Sequence, residues 1–418
     1  MNNSKSLDYS GKIDFWSFMA GVYVFSWFTQ LGLRIELLGA IRYEFILGLF
    51  LTLGAFFQLS SQKIYKSDRP LVSISVLYIL YMALFVVLSV DVLYSWNIYL
   101  NRAFKFSLMA LFVAVFIDTV PKLKFVLFCY FLAALKAGQE GFLGWLSGSL
   151  VWENQGINRL HGSISMYEHP NNFGGFAVCL FPFIYNFFPV VNKPMKIGLI
   201  CLGVFGLVIL LFAGSRTGYV AFALLVLYVL GKRFKRGFFG AFFLASILML
   251  VSLNFIPDEY KGRFESIFTQ KEAEGSSANT RKQIIYDAID VFIEHPMGVG
   301  IGAFPKVRIE MFGEFQDTHN LYLEVLTNMG FIGLLIFYLF VKRIINANRH
   351  TLSRLSDIDT PDAKFIIACG NAVIAYIAAR LILGMFGMDM YEIYWWWAIG
   401  LTLACCNIAY KIYDSQHR

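Results

Sequence analysis

The chain has 418 residues, of which 58% are hydrophobic, 17% aromatic and only 15% charged, with a formal net charge of +7. Ordinary soluble domains carry about a quarter charged residues, so this composition excludes a soluble enzyme and predicts an all-α polytopic membrane protein. The excess of basic residues follows from membrane topology and calls for no nucleic-acid partner.

A helix needs roughly 20 apolar residues to cross a bilayer. Runs of that kind begin near Phe15, Phe45, Leu71, Ala103, Phe125, Asn172, Ile197, Thr217, Phe238, Leu321, Phe365 and Ile393, which gives about twelve spans. The first lacks a small-residue cleavage site and is followed by further spans, so it is expected to be retained as a helix. Lys122, Lys124, Lys193, Lys196, Lys232, Arg233, Lys342 and Arg343 flank alternate ends, predicting that both termini and these segments are cytoplasmic. The six cysteines lie inside apolar runs without metal-ligand spacing; they read as small core residues, with no disulfide expected.

Three units follow: spans 1–256, with an outer loop at 140–170; a long outer segment at 257–320, large enough for a helical cap; and spans 321–418. Long connections inside compact folds tend to be functional. Within the long segment, Asn279 or Thr280 can cap a helix whose apolar residues Ile285, Ala288, Ile289 and Phe292 recur at helical spacing before His295-Pro296 ends it. The following Gly298-Val-Gly300-Ile-Gly302 trails a helix and a proline instead of a strand, so it reads as a tight backbone turn and not a nucleotide loop.

The uncommon residues gather on the predicted outer side. Arg34, Arg42, Arg102, Lys105, Arg159, His161, His169, Arg216, Arg281 and His319 fall in outer loops, while Lys136 and Arg380 lie within spans near their outer ends. Cations at that depth are costly unless paired or wet. Arg34, Arg42 and Lys105 could snorkel to the interface, and Arg380 could pair with Glu324, Asp389 or Glu392. After His319, the residues Asn320, Glu324, Thr327 and Asn328 form a polar stripe at helical spacing, which must face a protein interior or a wet cavity. Arg216, in the small-residue turn Gly214-Ser-Arg216-Thr-Gly218, suits a guanidinium held at a cavity wall against phosphate. Guanidinium groups clamping a polyprenyl diphosphate would stabilise it as a leaving group. A neutral histidine could then deprotonate an incoming hydroxyl near pH 7.

The order of these pieces resembles the O-antigen ligase and O-antigen polymerase superfamily, bacterial membrane glycosyltransferases of the GT-C class. The resemblance runs through Arg159-Leu-His161-Gly162, His169-Pro170-Asn171, Ser215-Arg216-Thr-Gly218, Asn279-Thr-Arg281, His295-Pro296-Met-Gly298-Val-Gly300 and Thr318-His319-Asn320 with Gly330 following. It implies a GT-C-like bundle in the bacterial inner membrane with its active site on the periplasmic face. The implied reaction is inverting and metal-independent, needs no cofactor, and moves a glycan from undecaprenyl pyrophosphate to an acceptor hydroxyl. A ligase would use the lipid A core as acceptor, and a polymerase the next lipid-linked repeat unit; the ligase is the first expectation. By the resemblance His319 is the base, Arg216 and Arg281 contact the diphosphate, and Arg159 is a third contact. His161, His169, Asn171, Asn320, Glu324, Arg102, Lys136 and Arg380 are supporting candidates. A flippase for lipid-linked sugars is the more distant alternative, disfavoured because the charges lie to one side and not at the midplane.

Overall fold

The computed structural model describes residues 11–59, 68–154, 157–233, 260–262 and 277–417. In chain order the helices are α1 (Phe15–Thr29), α2 (Leu31–Arg34), α3 (Glu36–Ala40), α4 (Tyr43–Leu59), α5 (Arg69–Val87), α6 (Val92–Ile98), α7 (Lys105–Phe116), α8 (Val120–Ser147), α9 (Pro170–Phe187), α10 (Lys193–Phe212), α11 (Arg216–Arg233), α12 (Ser277–Glu294), α13 (Phe304–Phe312), α14 (Leu321–Leu355), α15 (Pro361–Leu383) and α16 (Ile393–Gln416). A short hairpin, β1 (Val151–Asn154) with β2 (Ile157–Leu160), is antiparallel and lies between α8 and α9. The architecture is the expected all-α polytopic one. Every expected span start except that near Phe238 falls on a helix, and Phe238 lies outside the described residues. Among the described residues six helical units are long and apolar enough to cross a membrane: α5, the continuous Val92–Phe116 unit, α10, α14, α15 and α16.

Helix starts are set by local chemistry. Pro70, Pro121, Pro170, Pro194, Pro305 and Pro361 all occupy the first turn of a helix, where a missing N–H costs nothing and the fixed φ is already helical. Asp14 caps α1 by accepting from the Ser17 N–H at 2.8 Å, while the Ser17 hydroxyl accepts from the Asp14 N–H at 3.0 Å. The region around Arg102, expected as a loop, is instead helical. A π-helical turn, Tyr99–Phe104, joins α6 to α7, and such a widened turn re-aims the side chains it carries.

The centre of the bundle is α16, whose Trp395 and Trp397 are fully buried, and which packs on α7, α14 and α15. Peripheral helices turn large apolar residues outward: on α4, Phe45, Leu49, Leu53 and Phe56 are exposed at helical spacing, a face that suits hydrocarbon rather than water. Five cysteines are buried, Cys201 is exposed on α10, and all six are free thiols.

Snorkelling does not describe Arg34. It grips Glu140 of α8 with two nitrogens at 2.5 and 2.6 Å and donates to the Thr29 carbonyl. Lys136 joins the same carboxylate at 3.1 Å from one turn away. The cap also differs in detail from its expected pattern. Helix α12 begins at Ser277, and its buried face is Ile284, Asp287, Ala288 and Val291, leaving Ile285 and Ile289 exposed. Asp287 explains the shift: it forms an ion pair with Arg308 of α13 at 2.8 Å with both side chains almost fully buried, so the face holding the carboxylate must turn inward.

The glycine-rich turn performs a structural task that its sequence only hints at. Gly298, Gly300 and Gly302 all have positive φ. Their strand of chain lies across α14 where Gly330 (φ 68, ψ −173) breaks the helix. The Val299 and Gly300 N–H groups donate to the Thr327 and Asn328 carbonyls at 2.9 and 3.0 Å, so the break leaves those acceptors satisfied. A Cβ on Gly330 would stand 2.6 Å from the Pro296 carbonyl oxygen, and one on Gly298 would stand 2.7 Å from that of Asn328. The two backbones touch because neither has a side chain there. Gly330→Ala should therefore lower the apparent Tm of the detergent-solubilised protein, the backbone conformation alone costing about 1–3 kcal/mol. Gly198→Ala on α10, where an added Cβ would meet Leu135 Cδ1 at an ordinary 3.9 Å, should leave it unchanged; equal effects would refute this account of the crossing.

Candidate active site

One end of the bundle holds a cavity of about 750 Å³. Its wall is built from helix ends: Trp27 and Gln30 at the end of α1, Arg102 on the π turn, His169 and Asn171 at the start of α9, Ser215 and Thr217 at the start of α11, Thr280 and Arg281 on α12, Gln316 and His319 before α14, and Arg380, Asp389, Glu392 and Tyr394 around the α15–α16 loop. Side chains from distant stretches thus converge on one space, as charged and polar residues in a membrane bundle should.

His319 sits at φ 47, a left-handed conformation that histidine tolerates better than most residues but that still carries strain. The surroundings hold it there. The Thr318 N–H donates to Asp317, the Thr318 hydroxyl donates to the Asn320 carbonyl, and the Leu321 N–H donates to Gly384 at 2.7 Å. Asn320 caps α14, accepting from the Tyr322 and Leu323 N–H groups, and donates to the Met385 carbonyl. The Gln316 side-chain amide approaches the His319 Nε2 at 3.3 Å. Burial lowers the His319 pKa, and the positive charges of Arg281 and Arg308 lower it further.

His169 is the N-cap of α9. Its Nδ1 accepts from the Asn171 N–H at 3.1 Å. Loss of hydration, with Arg159, His319 and Arg281 nearby, brings its pKa down to about 4, although the ring opens on the cavity, where solvent tempers the shift. Both imidazoles are therefore neutral at pH 7. Burial raises the Asp317 carboxyl above the usual range, offset in part by the Thr318 N–H and Arg102.

Among the arginines, positions differ sharply. Arg281 is on the wall. Arg216 is not a wall residue, although Ser215 and Thr217 on either side of it are. Arg159 is 1% exposed and lies off the cavity: its Nε donates to the Ala213 carbonyl at 2.8 Å and its Nη2 to the Asn171 Oδ1 at 2.6 Å. It braces the turn before α11 against the start of α9, and Gly214 (φ 58) makes room for it. Arg102 pairs with Glu392, and Arg380 pairs with Asp389 while stacking on Tyr394 at 3.7 Å.

The other supporting candidates lie elsewhere. His161 bonds the Gly162 carbonyl and packs on Trp152, away from the wall. Lys136 belongs to the Glu140 cluster. The polar stripe of α14 faces protein interior and not a wet cavity: Glu324 accepts from the Met390 N–H at 3.2 Å, and Asn328 accepts from the Phe304 N–H and donates to the Tyr391 hydroxyl. Sequence reasoning missed Gln316, Gln30, Trp27 and Tyr394 as wall residues. For Gln316 a signal existed, since it lies one turn of chain before His319; for the others only the fold brings them in.

The Arg380–Asp389 pair is buried on both sides, whereas Arg102 is 45% exposed. Removing one partner of a buried pair strands the other charge, at about 3–5 kcal/mol, while an exposed pair is worth about 0–1 kcal/mol. Asp389→Ala should therefore cause a large drop in thermal stability and Glu392→Ala a small one. The reverse order in a detergent melt would contradict the assignment.

No curated protein matches the chain. Residues 201–338 match the family model described as O-Antigen ligase, a stretch that contains Arg216, Arg281, His319 and the Gly298–Gly330 crossing. That match covers about a third of the chain and supports the O-antigen ligase superfamily, the family its motif order resembled.

Proposed function

We propose that the cavity is a glycosyl-transfer centre on the periplasmic face of the inner membrane, taking a glycan from undecaprenyl pyrophosphate to a hydroxyl of the lipid A core. The single observation carrying this reading is that His319 and Arg281 line the same cavity, with the guanidinium close enough to depress the imidazole pKa. The family match supports a ligase or polymerase type of enzyme; the polymerase, joining lipid-linked repeats, is the neighbouring alternative with the same chemistry.

In the proposed step, the acceptor oxygen attacks the anomeric carbon as the bond from that carbon to the diphosphate oxygen breaks. The pair of electrons leaves on the diphosphate, which Arg281 neutralises through its planar fork, with Arg216 close by at the start of α11. The acceptor proton goes to the Nε2 of His319, the nitrogen that faces the Gln316 amide, a partner that a substrate hydroxyl can replace. Attack opposite the leaving group inverts the configuration. Arg102 and Arg380 have carboxylate partners and shape the wall. Arg159 acts at a distance, holding Asn171 and the 213–216 turn in place.

Coupling between the two groups follows from electrostatics. Burial, and after it Arg281 and Arg308, lowers the His319 pKa while the site is empty; a bound diphosphate offsets the positive charge and makes the imidazole a stronger base. The sign is definite. The base must be unprotonated, so activity should fall toward acid pH, with a midpoint below the ordinary 6.5 for the donor-free enzyme and a higher midpoint once donor is saturating. Steady-state profiles check this, because kcat/KM reports the free enzyme and kcat the complex; coincident midpoints would remove the coupling.

His319→Ala should abolish transfer, by at least the 10²–10⁴ typical of a general base, while membrane insertion and stability persist. Arg281→Lys should impair kcat despite retaining charge, because an ammonium lacks the bidentate fork. Turnover of purified protein with lipid-linked donor and core acceptor measures both, and wild-type rates in either variant would remove that residue from the step.

A further inference from the structure

At the opposite end of α14 from His319 lies a second, smaller cavity of about 200 Å³ between that helix and the start of α5. Three basic side chains line it, Arg343, His350 and Arg354, with Asn346; Pro70 and Leu71 form the apolar side. Positions 343, 350 and 354 share one face of the helix, being seven and eleven residues apart. Arg354 is fixed by stacking on Tyr410 of α16, its guanidinium carbon 3.5 Å from the ring centre. Asp68 is buried at the end of α5 without lining the groove.

Depth identifies the ligand. The apolar run of α5 opens at Leu71, and α14 is apolar as far as Val341 before Lys342 and Arg343. The groove therefore starts where the hydrocarbon ends. From Arg343 to His350 the helix rises about 10 Å, comparable to the headgroup layer of a bilayer. Its cationic side chains converge at that layer and its apolar wall meets the hydrocarbon edge. A soluble anion would use the first of these features only.

We propose that this groove binds the phosphate of an anionic phospholipid headgroup, with Arg343 and His350 as the contacting groups and Arg354 as a fixed charge beside them. The site is separate from the transfer cavity and does not depend on the reaction assigned there. Guanidinium and imidazole groups give charge-assisted hydrogen bonds to phosphate oxygens, and a lipid anchored there would join α5 to α14.

The test uses the full-length protein in phosphatidylcholine nanodiscs with phosphatidylglycerol added stepwise, retained lipid being counted by native mass spectrometry. Wild type should retain phosphatidylglycerol, and Arg343→Gln/His350→Gln should bind it about tenfold more weakly, or about 1.4 kcal/mol. Arg343→Lys should recover most of the binding, which separates charge loss from misfolding. Lys193→Gln/Lys196→Gln, at the predicted same face but outside the groove, should bind as wild type does. Equal loss in that control would mean diffuse surface charge and overturn the site. Displacement of the lipid by inorganic phosphate at matched ionic strength would overturn the lipid assignment in favour of a soluble anion, and unchanged retention in the double variant would refute the proposal outright.

Discussion

The contact on which this structure depends is the crossing of two stretches of bare backbone, Gly298–Gly300 over the break at Gly330. A helix that ran straight through residues 321–355 would keep the Thr327 and Asn328 carbonyls for itself. By breaking at Gly330 it gives them to the Val299 and Gly300 N–H groups, which docks the α12–α13 segment onto the bundle. The same segment carries Arg281 and ends at His319. Polar residues just before the break complete the clamp: Glu324 holds the 389–391 loop and Asn328 holds Tyr391 and the start of α13. Base, guanidinium and cavity wall are therefore placed by one joint.

Electrostatics then divide the cations into kinds. Some are structural because carboxylates neutralise them: Arg34 with Glu140, Arg308 with Asp287, and Arg380 with Asp389. Arg159 is structural by another route, spending its donors on a carbonyl and an amide. Arg281 faces the cavity beside an imidazole whose pKa it lowers. Low dielectric makes each of these choices costly to reverse.

Much of this was legible beforehand, for identifiable reasons. Bilayer thickness imposes a length on each span, so hydropathy located the helices. Proline and cap residues marked their starts. His319 stands out as a titratable ring opening a polar-striped span, His169-Pro170-Asn171 through the motif order, and both histidines line the cavity. The positive φ values of Gly298, Gly300 and Gly302 were foreseeable from a glycine run after a proline. What sequence could not reveal was pairing. Whether Arg159 meets a ligand or the Ala213 carbonyl depends on where β2 lies against α10, and nothing local to Arg159 encodes that. The inward turn of α12 was misjudged for a similar reason: a buried partner, Arg308, lies on another helix and outweighs the apolar periodicity of Ile285 and Ile289. Likewise nothing in the sequence pairs Glu324, a supporting site candidate, with the Met390 N–H, because loop backbone carries no side-chain signature.

The central claim is spatial, that donor diphosphate rests between Arg281 and His319. Its most direct test is photo-crosslinking with a lipid-linked donor analogue bearing a diazirine next to the diphosphate, followed by peptide mapping of the labelled full-length protein. The account predicts label on the peptides containing Thr280–Arg281 and Gln316–His319, suppressed by unlabelled donor. Competable label confined to the Arg343–Arg354 end, or to the Arg34–Glu140 cluster, would contradict it.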